Sequence, residues 1–519
     1  MILGVDVGGT NTDAVLMDGT TLIASGKLPT TPDVRDGIVS AIRLVLRDSG
    51  VPTERIQCVA IGTTHFTNAF VAREGLLNVG LIRIALPASS GVLPMSDWPP
   101  DLAAAIGDNM DLVGGGYHVD GRIDSELDEL AVRDAAKRFR RNGLKTVALS
   151  ALFSPVNDDM EQRAENIVRN EMPGVSVTRS SEIGSLGLLE RENAAIMNAS
   201  LVDLSAKVVK SIRRALQQLR IEAPFFLSQN DGTLMTAEVA ERYPVLTFAS
   251  GPTNSMRGAA FLSGATDALV ADIGGTTTDI GMLANGFPRE SSITVNIGGV
   301  RTNFRMPDIL ALGLGGGSLV STNGAGLTIG PQSVGYRLLD EALVFGGNTL
   351  TASDVAVAAG YAQMGDPSLA ADLPRETVDL AVAEIHRMLA EGVDRMKTSA
   401  DPVPLILVGG GSVLISEDIP GVSEVIVPES AGVANAVGAS IALAGGEVDT
   451  VYSYEAIGRD AAMEAAREQA ERAAIDAGAR PSTVQITNVE EIPLGYMPGA
   501  LVRLRIKAAG ELALGSASM

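Results

Sequence analysis

The sequence predicts an α/β protein made of two related domains that face each other across a cleft, followed by a small α+β region. Three observations carry this expectation. At 519 residues the chain exceeds the roughly 250–300 at which a single hydrophobic core stops growing, so more than one domain is expected. Short apolar strands that run into glycine alternate with helically spaced stretches from the first residue onward. The opening D-V-G-G-T-N-T-D of residues 6–13 returns as D-I-G-G-T-T-T-D at residues 272–279, identical at six of eight positions with an offset of 266 residues. That interval is a domain length and not the period of a solenoid.

In chain order, M-I-L-G-V-D-V is a continuous apolar strand, the glycines after it form a turn, and residues 14–17 belong to a returning strand. Residues 36–48 have helical spacing, and residues 57–62 form a strand ending in G-T-T-H. The tract 86–112, rich in Pro, Ser and Asp, reads as an irregular excursion. Beyond it a helix at 126–142, a strand at 146–152, a helix at 158–171 and a strand at 175–179 make a β-α-β unit. Residues 188–219 form a long helix that ends before a strand at 224–228. After the second repeat come glycine-dense pieces between 309 and 347, a helix at 376–397, a buried strand running into G-G-G-S at 409–412, a strand at 424–427 and a small-residue helix at 434–444. The expected domains are therefore 1–185 and 186–447, with 448–519 as a small C-terminal region holding a helix and strands at 483–489 and 499–506.

Composition narrows the function. Hydrophobic residues are 46 % and charged residues 20 %, with 57 glycines against 24 prolines, the profile of a folded enzyme with glycine loops. A net charge of −22 repels phosphate backbones and anionic membranes, so neither nucleic acid nor a membrane is an expected partner. With no basic leader and no long apolar run, a soluble cytoplasmic protein is expected. Cys58 is the single cysteine, which excludes an intrachain disulfide or a Cys-based metal cluster within one chain. Three histidines, His65, His118 and His386, are too few and too scattered for a His-rich binuclear zinc site. Any metal is expected to be a hard, oxygen-bound cation.

Gly8, Gly9, Gly274 and Gly275 let backbone amides approach phosphate oxygens where a Cβ would obstruct, and Thr10, Asn11, Thr12, Thr276, Thr277 and Thr278 add donors. Two such turns facing each other would clamp a triphosphate. Asp6 and Asp272, each at the end of a buried strand, are candidates to hold Mg²⁺, which binds phosphates plus one or two carboxylates and keeps several waters. Asp13 and Asp279 are candidates to orient a water or accept a proton. Gly409, Gly410, Gly411 and Ser412 form a third strand-to-glycine element suited to close approach of adenine and ribose. ATP and Mg²⁺ are thus the expected ligands. Thr63, Thr64, His65 and Asn68 follow a buried strand and would face the γ-phosphate side, with His65 a general base, a substrate contact or a hydrogen-bonded loop residue. Glu190 and Arg191 are a further candidate substrate pair, or a helix-surface ion pair.

Taken together and in order, D-V-G-G-T-N-T-D, G-T-T-H-F-T-N-A at 62–69, L-E-R-E-N at 189–193, F-A-S-G-P at 248–252, D-I-G-G-T-T-T-D, L-G-G-G-S at 314–318 and I-V-P-E-S-A-G-V-A-N-A-V-G at 426–438 resemble the hydantoinase A/5-oxoprolinase family. The resemblance covers about residues 1–445. It implies an actin/hexokinase-like ATPase fold with a nucleotide cleft between the domains. It also implies use of ATP to phosphorylate an oxygen of a cyclic amide, or of a ketone enolate, before ring opening or carboxylation. An unactivated lactam resists water, and phosphorylating its oxygen supplies a good leaving group. Many members of the family work with a B-type partner subunit. Typical members are longer and carry a Pro/Gly-rich stretch with an acidic residue where this chain reads G-P-Q-S-V-G-Y-R-L-L-D-E-A-L-V-F-G-G-N, which implies a shortened branch.

The expected activity is ATP-dependent hydrolysis of a cyclic amide such as a hydantoin or 5-oxoproline, by this chain or by an enzyme of which it is the ATP-using subunit. Two rivals remain: a small-molecule kinase or acetone-type carboxylase subunit with the same clamp, and a non-enzymatic ATP-switched partner protein. The catalytic base stays open among Asp13, Asp279 and His65, and a homodimer is a base-rate expectation.

Overall fold

Strand β1 (Ile2–Val7) is apolar on both faces, the pattern of a strand covered on both sides of a sheet. In the computed structural model, which describes residues 1–31, 34–291, 295–303, 306–323, 326–415, 419–495 and 499–514, it lies inside one. It pairs antiparallel with β2 (Asn11–Asp18), which turns into β3 (Thr21–Pro29), and parallel with β4 (Cys58–Thr63). Helix α1 (Val34–Ser49) covers these strands with Ile38, Ile42 and Val45, and α2 (His65–Ala72) follows β4 directly.

The chain then builds a four-stranded parallel sheet, ordered β8-β7-β5-β6, from β5 (Gly80–Leu86), β6 (Met110–Gly114), β7 (Thr146–Ala151) and β8 (Ser176–Arg179). Helices α3 (Glu129–Arg141) and α4 (Asp159–Glu171) belong to this unit. The tract 86–112 is not irregular as expected, because it holds a helix over Pro100–Ile106 and leads into β6. Trp98 is buried there, and its indole N–H donates to Asn193 Oδ1 at 2.8 Å. Helix α5 (Leu188–Gln218) returns to the first sheet, which β9 (Phe225–Ser228) and β10 (Leu234–Thr236) extend beyond β4.

Helix α6 (Ser250–Ser263) leads to a second lobe with β11 (Leu269–Ile273), β12 (Thr278–Ala284), β13 (Phe287–Pro288), β14 (Ile309–Leu312), α7 (Arg375–Met396), β15 (Val403–Val408) and β16 (Val422–Ile426). The order is β13-β12-β11-β15-β16, with β14 paired to β12. The register repeats that of the first lobe: Asp6 lies opposite Asp13 and Asp272 opposite Asp279, while β15 runs parallel to β11 as β4 does to β1. The sequence repeat is therefore a repeat of topology, and the fold is α/β with two related lobes.

Helix α8 (Ala434–Ser440) crosses back, packed on α6 at backbone distance. A Cβ on Gly258 would lie 1.9 Å from the Ala434 carbonyl oxygen, and one on Gly438 would lie 1.8 Å from that of Asn254, so both positions demand glycine. The remaining elements are β17 (Ala444–Ser453), α9 (Arg459–Asp476), β18 (Gln485–Pro493) and β19 (Leu501–Gly510). They complete the first sheet in the order β18-β19-β17-β10-β9-β4-β1-β2-β3. The expected divisions at 185 and 448 therefore do not follow the sheets, since α5, β9 and β10 as well as the C-terminal strands belong with the first lobe. Ala462, Ala466, Ala470 and Ala474 are all fully buried, a stripe that seats α9 close against these strands. No helix among the described residues is long and apolar enough to cross a membrane.

Candidate active site

The two hairpin turns close in the same way. Gly8 N–H donates to Asn11 O at 3.0 Å, and Gly274 N–H to Thr277 O at 2.9 Å. They also meet, because a Cβ on Gly275 would lie 3.4 Å from Thr10 Cγ2. Most of their carbonyl oxygens are occupied. The Thr30 hydroxyl donates to Gly8 O (2.8 Å) and Thr30 N–H to Thr10 O (2.9 Å). In the second lobe Gly411, Gly316 and Gly317 N–H groups donate to Ile273, Gly274 and Gly275 O at 2.7, 3.0 and 2.7 Å. The amides of Gly9, Thr10, Gly275 and Thr276 donate to no acceptor among the described residues. Occupied carbonyls beside unused N–H groups give the polarity of an anion-binding turn.

The glycines of 409–411 divide their work. Gly409, at φ +83°, leaves room for Asp272, since a Cβ there would lie 2.4 Å from Asp272 Oδ1, and Gly411 packs on Ile273. Gly410 alone has open space where a side chain would stand, with Ser412 next to this run.

Four carboxylates stand at the strand ends below the turns. Asp6 and Asp13 are buried, and Asp272 and Asp279 are partly buried. Burial is the main cause that raises all four. It pushes Asp6 up to about 7 with help from the Asp13 charge, and Asp279 up to about 7 with help from Asp272. Asp6 Oδ1 and Asp13 Oδ1 are buried without a hydrogen-bond partner. Asn435 Nδ2 donates to Asp6 Oδ2 at 3.4 Å, and Lys27 Nζ to Asp13 Oδ2 at 2.7 Å. Among the described residues no three or more His, Cys, Asp or Glu side chains gather closely enough to cage a metal by themselves. The orphaned oxygens of Asp6 and Asp13 beside turns with unused amides fit a cation shared with an anion, as Mg²⁺ with phosphates would be, and of the two expected ligands, Asp6 and Asp272, it is Asp6 that has the open oxygen.

Thr63 pairs in register with Val7, so it shares the carboxyl-terminal sheet edge with Asp6. Thr64 N–H donates to Val7 O (3.4 Å), His65 N–H to Thr63 Oγ1 (3.1 Å) and Asn68 Nδ2 to Thr64 Oγ1 (3.2 Å). Ser250, in the first turn of α6, donates its hydroxyl to Thr63 O at 3.3 Å, and that helix start has no side-chain cap. Burial lowers the His65 pKa and so favours the neutral imidazole.

Arg191 and Glu190 are not part of this assembly. Arg191 is 1 % exposed and donates to Ser180 Oγ (2.9 Å), to Ser185 O (3.0 Å) and to Ala151 O. Burial pulls its guanidinium down to about 10, and each of its three nitrogens is bonded to protein, so the expected substrate role is corrected to a structural one. Glu190 is half-buried beside Arg301 at 3.9 Å. Lys27, Asn435 and Ser250 contribute to the site without having been singled out by sequence reasoning. The latter two lay inside motifs already noted, whereas Lys27 carried no local signal. A separate cavity of about 1040 Å³, lined by Asn157, Glu182, Gln229, Asp449 and Tyr452 among others, contains none of the expected site residues.

Paired glycine turns with unused amides, one from each lobe, above a shared group of carboxylates, define an α/β protein of two related lobes that meet at one polar site. The chain belongs to the hydantoinase/oxoprolinase family, whose N-terminal region matches residues 2–172 and whose hydantoinase/oxoprolinase domain matches residues 191–366. Caprolactamase subunit alpha of Pseudomonas jessenii is 27 % identical over 412 residues, which is 75 % of this chain and 58 % of that protein. Acetophenone carboxylase gamma subunit of Aromatoleum aromaticum is 27 % identical over 395 residues, 69 % of this chain and 53 % of that protein. The chain thus spans somewhat more than half the length of these curated relatives. The crystal structure of ATP-dependent caprolactamase from Pseudomonas jessenii has the same fold, with a TM-score of 0.81 at 22 % identity over 99 % of this chain and 88 % of that chain.

Proposed function

We propose that this chain is an ATP-dependent hydrolase of a cyclic amide of the hydantoin or 5-oxoproline kind, or the ATP-using cytoplasmic subunit of one. The observation that carries the reading is the pair of matched turns with unused amides above four carboxylates that have one lysine between them. Such an imbalance is unfavourable in the empty protein, and a polyphosphate with its cation would relieve it.

The amides of Gly9, Thr10, Gly275 and Thr276 bind phosphate oxygens, with the hydroxyls of Thr10 and Thr276 beside them, and Gly410 and Ser412 face the nucleoside. Mg²⁺, held by Asp6 and Asp272 when bound, would neutralise charge on the phosphates. Thr63, Thr64 and Asn68 orient the substrate at the end of β4, with neutral His65 beside them as a proton acceptor. Asp13 and Asp279 are the other candidates for that role. In the reaction the amide oxygen attacks the terminal phosphorus and ADP leaves. Water then adds to the activated carbon, the ring C–N bond breaks as the nitrogen takes up a proton, and a second water hydrolyses the resulting acyl phosphate to carboxylate and phosphate. A B-type partner is proposed for the hydrolytic half, in line with relatives that are named as subunits.

The carboxylase relative favours a second reading, the ATP-using subunit of a ketone carboxylase. Phosphate release from Mg-ATP by the purified chain, measured with hydantoins, 5-oxoproline, caprolactam and small ketones with and without bicarbonate, separates the two. Stimulation by a ring compound that Asp272→Asn abolishes supports the first reading, and stimulation only by ketone with bicarbonate replaces it with the second. Absence of nucleotide binding by the chain overturns both.

A further inference from the structure

The two halves of the clamp differ in one cross-strand partner. In the first lobe β3 pairs with β2 and sets Lys27 directly opposite Asp13, whereas in the second lobe β14 pairs with β12 and sets Ala311 opposite Asp279. The surrounding frame is the same in both, with an aspartate opposite an aspartate across the hairpin and a parallel strand on the far side. Lys27 Nζ lies 2.7 Å from Asp13 Oδ2, and the lysine side chain is 36 % exposed against 8 % for that of Asp13. The cation therefore reaches a buried carboxylate from the open side. Its bond to Asp13 uses one of three ammonium donors, and Lys27 makes no other hydrogen bond among the described residues.

Strand pairing does not require this lysine, because the second copy forms the same three-stranded ladder with an exposed alanine in its place. A solvent-open ion pair also adds little to a ladder of this length. What it changes is the charge presented to a ligand. Both lobes offer amides and two aspartates, but the first adds an ammonium, which suits an anion, whereas the second has no lysine opposite its pair.

We propose that Lys27 contacts the terminal, transferable phosphate of the nucleotide and, through Asp13, positions it, so that the first lobe is the anion-facing half of the clamp. The second lobe, where Asp272 and Asp279 have no lysine opposite them, carries the larger share of the negative charge toward the cation that Asp272 would hold together with Asp6. This inference rests on the ATP reading and gives a direction to a clamp that the sequence repeat presents as symmetric.

Calorimetric binding of Mg-ATP and Mg-ADP to the purified chain, its Lys27→Met and Lys27→Arg variants, with thermal melting as the check on folding, tests it. Lys27→Met keeps the apolar stem and removes the charge. It is expected to weaken ATP binding by about 10- to 100-fold, the range of a charge-assisted hydrogen bond. ADP binding should change by less than about threefold, within the spread of a peripheral change. Lys27→Arg should restore most of the ATP affinity. Equal effects on ATP and ADP, or no effect on either in a folded variant, overturn the inference. Failure of the unaltered chain to bind either nucleotide overturns the ATP reading itself. Ala311→Lys supplies the mirror test and should raise the Mg²⁺ concentration needed for ATP binding; an unchanged requirement removes the larger share assigned to the second lobe.

Discussion

Two of the places where charge is buried among the described residues are answered differently. Where α5 meets the inserted sheet, Arg83 Nε donates to Glu192 Oε2 at 2.7 Å, with Ser150 Oγ on the same oxygen at 2.9 Å. Glu161 accepts from Ala151 N–H (2.9 Å), Ser180 Oγ (2.6 Å) and Ser181 N–H (3.0 Å), and Arg191 is held by carbonyls. At the lobe junction, by contrast, Asp6 and Asp13 each keep an oxygen without a partner, and one lysine serves the group. A satisfied buried charge fixes an architecture, and an unsatisfied one marks where the architecture awaits something. The comparison reassigns Arg191 from substrate contact to the knot, shared with Glu192, that ties the inserted sheet to the main one.

The contrast can be broken or sharpened by substitution. The largest effect is expected at the junction: Asp272→Asn should lower Mg-dependent ATP turnover by about 100-fold or more while leaving the melting temperature unchanged or raised, since a like charge is removed. The knot should behave in the opposite sense. Glu192→Leu strands Arg83, 0 % exposed, without its carboxylate, and should cost about 3–5 kcal/mol in urea unfolding. A neutral result there would place the knot with ordinary surface pairs.

A smaller effect separates the two by pH. Asp6 and Asp279 are raised from 3.8 to about 7, so in that window the folded chain binds more protons than the unfolded one. Their contribution to stability is therefore fully present near pH 4 and is lost as pH rises toward 7. Melting temperatures of the ligand-free chain should fall across that range, and Asp6→Asn and Asp279→Asn should each flatten the fall. Saturating Mg-ATP should reverse it, because a bound cation favours the charged carboxylates. The smallest effect is expected for Glu190→Ala, which should change turnover by less than about twofold, as a half-exposed side chain outside both clusters. A large loss would return Glu190 to the substrate site.

The turns were legible because D-x-G-G-T-x-T-D states its own geometry: a buried strand, glycines where amides must be approached, and a return. Its second occurrence supplied the partner lobe. Strand β17 was not legible, because A-G-G-E at residues 444–447 reads as a helix end and a linker, and without it the strands read at 483–489 and 499–506 had no place in the first sheet. Gly446 is in fact demanded by packing, since a Cβ there would lie 2.2 Å from the Ala474 backbone nitrogen. Arg191 misled because polarity on a helix start looks solvent-facing until the inserted sheet covers it. Lys27 was hidden by register. Counting back from the Asp18–Thr21 turn pairs Asp13 with Gly26, and only the bulge between Leu16 and Met17 brings Lys27 opposite.

The crossing of α6 and α8 has a mechanical side. The polypeptide enters the second lobe along one of these helices and leaves along the other, and at Gly258 and Gly438 the two lie backbone against backbone. They form a crossing of two stretches of chain with almost no clearance, so neither helix can shift toward the other. A single methyl group at either glycine would act as a shim between the two helices, and the shift it forced would be felt at the close approach of Thr10 to Gly275.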